Sequence, residues 1–158
     1  MSELVECVPN FSEGRNKSVV TDIAAEISRD RSIRLLDQEM NADHNRSVIT
    51  FVGEAEPVLE AAIRGVKKAA ELIDMRHHRG EHPRMGATDV LPFVPVGTSA
   101  LDGCIQLARR AGERIGSELG IPVFLYDAAA TRAHAARYAR YARQHIASLA
   151  QHDPSSTS

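Results

Sequence analysis

Short β-branched runs alternate with segments of helical periodicity in the order βαββαβαβ. That order predicts an α+β fold, a ferredoxin-like split βαβ sandwich with a βαββαβ core, an extra strand and a C-terminal helix. A second observation bears on its surroundings. In the run RSVITFVG both alternating sets of side chains are substantially apolar, Val48, Thr50 and Val52 on one side and Ile49 and Phe51 on the other, as in a sheet covered on both faces, whereas the helices of this arrangement cover only one. The second cover is therefore expected from another subunit or another polypeptide.

LVECV (4–8), closed by Pro9, reads as the first strand, and NFSEG supplies a turn with Ser12 as a possible helix N-cap. Val19/Val20, Ile23/Ala24 and Ile27 recur at helical spacing between Lys17 and Ser28. SIRLLD (32–37) and RSVITFVG (46–53) read as two strands joined by the polar loop QEMNADHN. Pro57 opens a second helix, where its missing amide costs nothing, with an apolar face of Val58/Leu59, Ala62/Ile63, Val66, Ala69/Ala70 and Ile73. DVLPFVPVG (89–97) is a strand interrupted by Pro92 and Pro95, which assigns it to an edge or to irregular pairing. Leu101, Cys104/Ile105, Ala108, Ala111, Ile115 and Leu119 stripe a third helix capped by Gly120, and PVFLYD (122–127) follows as the extra strand. Residues 131–150 form an exposed amphipathic helix by periodicity, and QHDPSSTS (151–158) is too polar to pack and reads as a disordered tail.

The chain has 158 residues, 43% hydrophobic and 25% charged, enough for one domain with a core but not for a second full catalytic domain. A net charge of −2 provides no electrostatic drive toward nucleic acid or anionic membrane. No window reaches the roughly 18 apolar residues of a membrane span, and no signal-peptide pattern opens the chain, so a cytoplasmic protein without a membrane partner is expected. Cys7 and Cys104 sit in apolar segments without metal-ligand spacing, which favours buried thiols.

HHRGEHPRMG (77–86) is the densest cluster of reactive side chains. His78, Glu81 and His82 spell H-x-x-E-H, an inverted zinc-protease motif that needs both imidazoles one helical turn apart. Gly80 disfavours such a turn, Pro83 pushes His82 into extended geometry, and neither Asp102 nor Glu113 stands out as a third ligand. No metal is therefore expected. A second reading is a solvated charged loop. A third is a loop shaped by Pro83 and Gly86 that presents a histidine for acid–base work, since imidazole titrates near neutrality. Glu81 favours the imidazolium there and Arg84 opposes it.

Several segments together resemble one family. VECVPNFSEG (5–14), LLD (35–37), NRSVITFVG (45–53), LIDMRHHRGEHPRMGATDVLPFVPV (72–96) and IPVFLYDAAA (121–130) look like the N-terminal subdomain of glutamate formimidoyltransferase, the transferase part of the formiminotransferase-cyclodeaminase family. The resemblance spans residues 1–130 as a domain, and the pairing of VPNFSEG with GEHPRMGATDVLPFVPV at this separation is specific. It implies transfer of a formimino group from N-formimino-L-glutamate to tetrahydrofolate, with release of glutamate, in histidine degradation and one-carbon metabolism. It also implies two successive subdomains whose sheets face each other across the substrates.

By the same resemblance His82 is the catalytic base. Arg84, Arg46 and Asn45 are candidates to hold carboxylates of the donor or of the folate tail, arginine in a bidentate fork. Asn10, Glu39 and Asp89 can orient the histidine or bind the amidinium, and Gly86 completes the candidate set. Each also has an ordinary structural role open to it: Asn10 in a turn, Asn45 and Asp89 as strand-end caps, Arg46 and Arg84 in surface ion pairs.

Two departures qualify the match. Glu39 stands where similar sequences usually carry Asp, one methylene shorter. A second subdomain is expected to come from a separate chain or from a homo-oligomer. A non-catalytic folate or glutamate-ligand module is the alternative reading. Arg137, Arg140 and Arg143 beside Tyr138 and Tyr141 raise an RNA contact, but without an overall basic charge the solvated helix is the expected reading.

Overall fold

A computed structural model describes residues 4–75, 86–97, 101–123 and 125. His82, Arg84, the whole H-x-x-E-H motif, the helix expected at 131–150 and the tail 151–158 lie outside the described residues, as does half of PVFLYD.

Among the described residues the architecture is mixed α and β, a curled antiparallel sheet with three helices. The first strand runs as two short pieces, β1 (Leu4–Cys7) and β2 (Asn10–Phe11), broken where Pro9 cannot donate to a ladder. Both pieces pair antiparallel with the long β4 (Arg46–Glu54), and Pro9 stays in the sheet by accepting from Ile49 N at 3.2 Å. On its other side β4 pairs with β3 (Arg34–Asn41). Beyond β1 and β2 lies a second broken strand, β5 (Thr88–Val90) on β2 and β6 (Phe93–Pro95) on β1, interrupted at Pro92. This is the edge position expected for a run carrying two prolines.

Three expectations are corrected. β3 continues through Gln38 to Asn41, so the first half of the polar stretch expected as a loop is strand and the second half, Ala42–Asn45, is turn. The polar residues fit because β3 is an edge strand, exposed along most of its length, and a bulge between Leu35 and Asp37 leaves Leu36 52% exposed. Ser12 does not cap a helix. Asn16 does, accepting from Ser18 N at 3.1 Å at the start of α1 (Lys17–Ile27). Pro122, Val123 and Leu125 lie outside any strand, and Val123 and Leu125 instead close over Gly112 of α3 (Leu101–Leu119).

The core lies between the sheet and the helices. Val20, Ile23 and Ile27 of α1 and Val58, Leu59 and Val66 of α2 (Ala55–Leu72) bury themselves with Phe11, Ile49 and Phe51 of the sheet. α2 starts at Ala55, two residues before Pro57, which was expected to open it and instead lies within its first turn, while Ala70, expected on the apolar face, is exposed. The helices approach closely at Gly65, where a Cβ would come within 2.9 Å of the Ile27 side chain. Arg64 closes α1 from the side, donating to Glu26 O at 2.9 Å and Ile27 O at 3.1 Å, where carbonyls lack helical partners and the helix end is negative.

The buried stripe of α3 is Cys104, Leu107, Ala111 and Ile115. Leu107 replaces the expected Ile105 and Ala108, and Leu101 is 54% exposed. Gly120, at φ 68°, ends the helix and donates to Gly116 O at 3.2 Å, a left-handed cap that glycine adopts without strain. Arg110 pairs with Glu56, and Arg114 with Glu60 and Glu118, joining α3 to α2 along their exposed sides. Cys7 and Cys104 are both buried, and burial pushes the Cys7 thiol pKa up, which makes that thiol unreactive.

Candidate functional site

The site is built at one end of the sheet from the two halves of the sequence pattern. The segment after β2, Ser12–Asn16, folds over the β3–β4 turn. Glu13 accepts from the amides of Arg15 and Asn16 at 2.9 Å each, and Arg15 Nε donates to Ala42 O at 2.9 Å. Gly14 is driven into that turn. A Cβ there would lie 2.2 Å from Arg46 N and 2.3 Å from Asn41 O, so any other residue must displace backbone. Asn45 takes a left-handed conformation, φ 52°, which asparagine tolerates, and its side chain accepts from Gly14 N at 2.8 Å. Asn45 is thus a structural clamp, one of the two roles open to it.

Cross-strand pairing determines which candidates share a face. Val48 of β4 is opposite Glu39 on one side and Asn10 on the other, and Asn10 is opposite Val90, so Glu39, Val48, Asn10 and Val90 form one row across the sheet. Arg46, two residues before Val48, belongs to the same face, as do Thr50 and Val52. The helices cover the opposite face, that of Ser47, Ile49, Phe51 and Gly53. Asn10, Glu39 and Arg46 are therefore brought together on the face that no helix among the described residues covers. Across two strand spacings of about 4.8 Å each, Asn10 and Glu39 bracket Val48.

The electrostatics of this face are uneven. Asp37 and Glu39 lie two residues apart on exposed β3, both on the Val48 side. The hydrogen bond and like charge of Asp37 hold the Glu39 carboxyl above the usual carboxylate range. Asn10 is buried and donates from its amide to Val8 O at 3.3 Å, which fixes its orientation within its own strand.

Asp89 lies deeper, and Gly86 is half-buried. Asp89 is fully buried, with Oδ1 3.0 Å from the Ser12 hydroxyl, and that hydroxyl is 2.8 Å from Gly86 O. Ser12 N donates to Ala87 O at 2.8 Å. Sequence reasoning missed Ser12 and Gly14 as site-building residues because two cap formers, Ser12 and Asn16, compete for one helix start. The signal that separates them is distance: Asn16 stands immediately before the first helical residue, and Gly14 between the two is a poor helix former.

With VPNFSEG and the start of GATDVLPFVPV thus joined in space, comparison with known proteins decides the family. The model of the formiminotransferase domain, N-terminal subdomain, matches residues 4–157. The chain belongs to this family. It is 55% identical to a glutamate formimidoyltransferase of Thermoplasma acidophilum over 82% of this chain and 43% of that protein. It is 50% identical to one from Streptococcus pyogenes over 84% of this chain and 44% of that protein. A formimidoyltransferase-cyclodeaminase of Rattus norvegicus is 51% identical over 82% of this chain and 24% of its own length. The chain spans less than half the length of the curated relatives it matches. In this formiminotransferase subdomain no described helix is long and apolar enough to cross a membrane.

Proposed function

We propose that the chain forms one wall of a formimidoyl-transfer site that moves the formimino group of N-formimino-L-glutamate to tetrahydrofolate, in histidine degradation and one-carbon metabolism of the cytoplasm. The observation that carries this reading is the sheet face of Asn10, Glu39 and Arg46, polar at its end, largely apolar along Val48, Thr50 and Val52, and covered by no helix among the described residues. The strand order β3–β4–β1/β2–β6/β5, all antiparallel, supports the finer fold assignment, a ferredoxin-like split βαβ. A second sheet, from a separate chain or a second copy, covers the open face in this reading and holds much of the folate.

The chemistry asks for one proton relay. Folate N5 attacks the amidine carbon and loses its proton as the new C–N bond forms, and the glutamate nitrogen gains one as the old C–N bond breaks. A single imidazole does both in turn, and His82 is the residue we assign to it. Arg46 and Arg84 hold carboxylates, Glu39 meets the amidinium, and no metal takes part.

The test is the rate of formimino transfer to tetrahydrofolate by the wild type and by His82→Ala. The expected loss is about 10² to 10⁴-fold. Folate binding without turnover in the wild type would favour a binding module, and one tightly held zinc lost in His78→Ala would favour a hydrolase.

A further inference from the structure

We infer that Ser12 is a positioning residue, a buried anchor that fixes the C-terminal end of the segment carrying His82. The inference rests on the proposed role of His82. Ser12 makes three contacts with the short stretch Gly86–Asp89: its amide to Ala87 O at 2.8 Å, its hydroxyl to Gly86 O at 2.8 Å, and the same hydroxyl to Asp89 Oδ1 at 3.0 Å. Ser12 and Asp89 are both fully buried, so no water competes for these groups. The β2–β5 ladder shifts register between Asn10 and Phe11, and such an irregularity re-aims the residues that follow it.

Chain geometry gives this anchor its consequence. Gly86 follows His82 by four positions, so the carbonyl that Ser12 holds terminates the EHPRMG motif. A hydroxyl is the group required: its single hydrogen is shared between Gly86 O and the Asp89 carboxylate, and alanine removes it from both. Fixing one end matters because a misplacement of about 1 Å costs roughly 10²-fold in rate. Ser12 touches no reacting atom in this account. It acts through the backbone.

The experiment uses the 158-residue chain and the ring signals of its seven histidines in proton–carbon NMR, with that of His82 identified by its absence in His82→Ala. In Ser12→Ala the His82 signal moves while those of His44, His134, His145 and His152 stay in place, and Ser12→Thr, which keeps the hydroxyl, brings it back toward the wild-type position. In transfer assays Ser12→Ala loses roughly 10- to 100-fold in kcat with KM little changed. Ser12→Cys, of similar volume and a weaker donor, gives an intermediate displacement if the alanine variant does not fold. An unmoved His82 signal, or a uniform shift of all the histidines, overturns the inference. Full activity of His82→Ala overturns instead the catalytic reading on which it rests, and the NMR result still decides the anchor.

Discussion

The two faces of β4 have nearly equal apolar content and opposite fates. Ser47, Ile49, Phe51 and Gly53 are buried under α1 and α2, whereas Arg46, Val48, Thr50 and Val52 are only half-buried and share their face with Glu39 and Asn10. One face is covered by helices and stabilises the domain, and the other is covered by no helix among the described residues. The lesson is that alternation identifies a doubly covered strand but not which cover is internal. That is decided by the polar residues at the ends of each row.

Substitutions can break the comparison, the most severe first. Phe51→Ala removes a fully buried ring and is expected to lose about 3–5 kcal/mol, while Val52→Ala next to it loses about 1 kcal/mol or less, as read from urea midpoints. Equal losses would mean that the two faces are equally covered within the chain. Gly14→Ala, whose methyl meets the backbone of Arg46 and Asn41, is expected to cost about 1–3 kcal/mol and to loosen the turn that holds Asn45.

Ionic contacts have smaller effects. Glu56→Gln breaks the exposed pair with Arg110 and is expected to cost less than about 1 kcal/mol, fading with added salt. The hydrogen bond from Arg110 holds the Glu56 carboxyl below its usual range, so this contribution is present above the ordinary carboxylate pKa and is lost as pH falls through the depressed one. Glu39 has the opposite sign. Its carboxyl is raised by Asp37, so stability decreases as pH rises from the ordinary carboxylate value through the raised one, and Glu39→Gln relieves that loss. Matched pH titrations of the melting temperature check both signs.

Helical segments were the most legible part of the sequence. α1 and α2 lie close to where their periodicity puts them, because an apolar stripe of period 3.6 has one way to face a core. Two edges were less legible. β3 carries Gln38, Glu39 and Asn41 with no need to hide them, so polarity there imitated a loop. Leu107 was missed because α3 buries a narrow stripe, and a small rotation exchanges it with Ile105 and Ala108. Asn10, Glu39 and Arg46 were candidates through the family resemblance, and that they share a face follows from register, which no local pattern states. Asn45, Gly86 and Asp89 have structural roles that rest on contacts with Gly14 and Ser12, more than thirty and seventy positions away.

The central claim is that the face of β4 away from the helices is the working wall of the site. Amide chemical-shift mapping of the chain on addition of tetrahydrofolate tests it most directly. Shifts centred on Asn10, Glu39, Arg46 and Val48, with Val58, Leu59 and Ile23 unmoved, are the predicted result. Shifts confined to the outer sides of α2 and α3, or none at saturating folate, would contradict it.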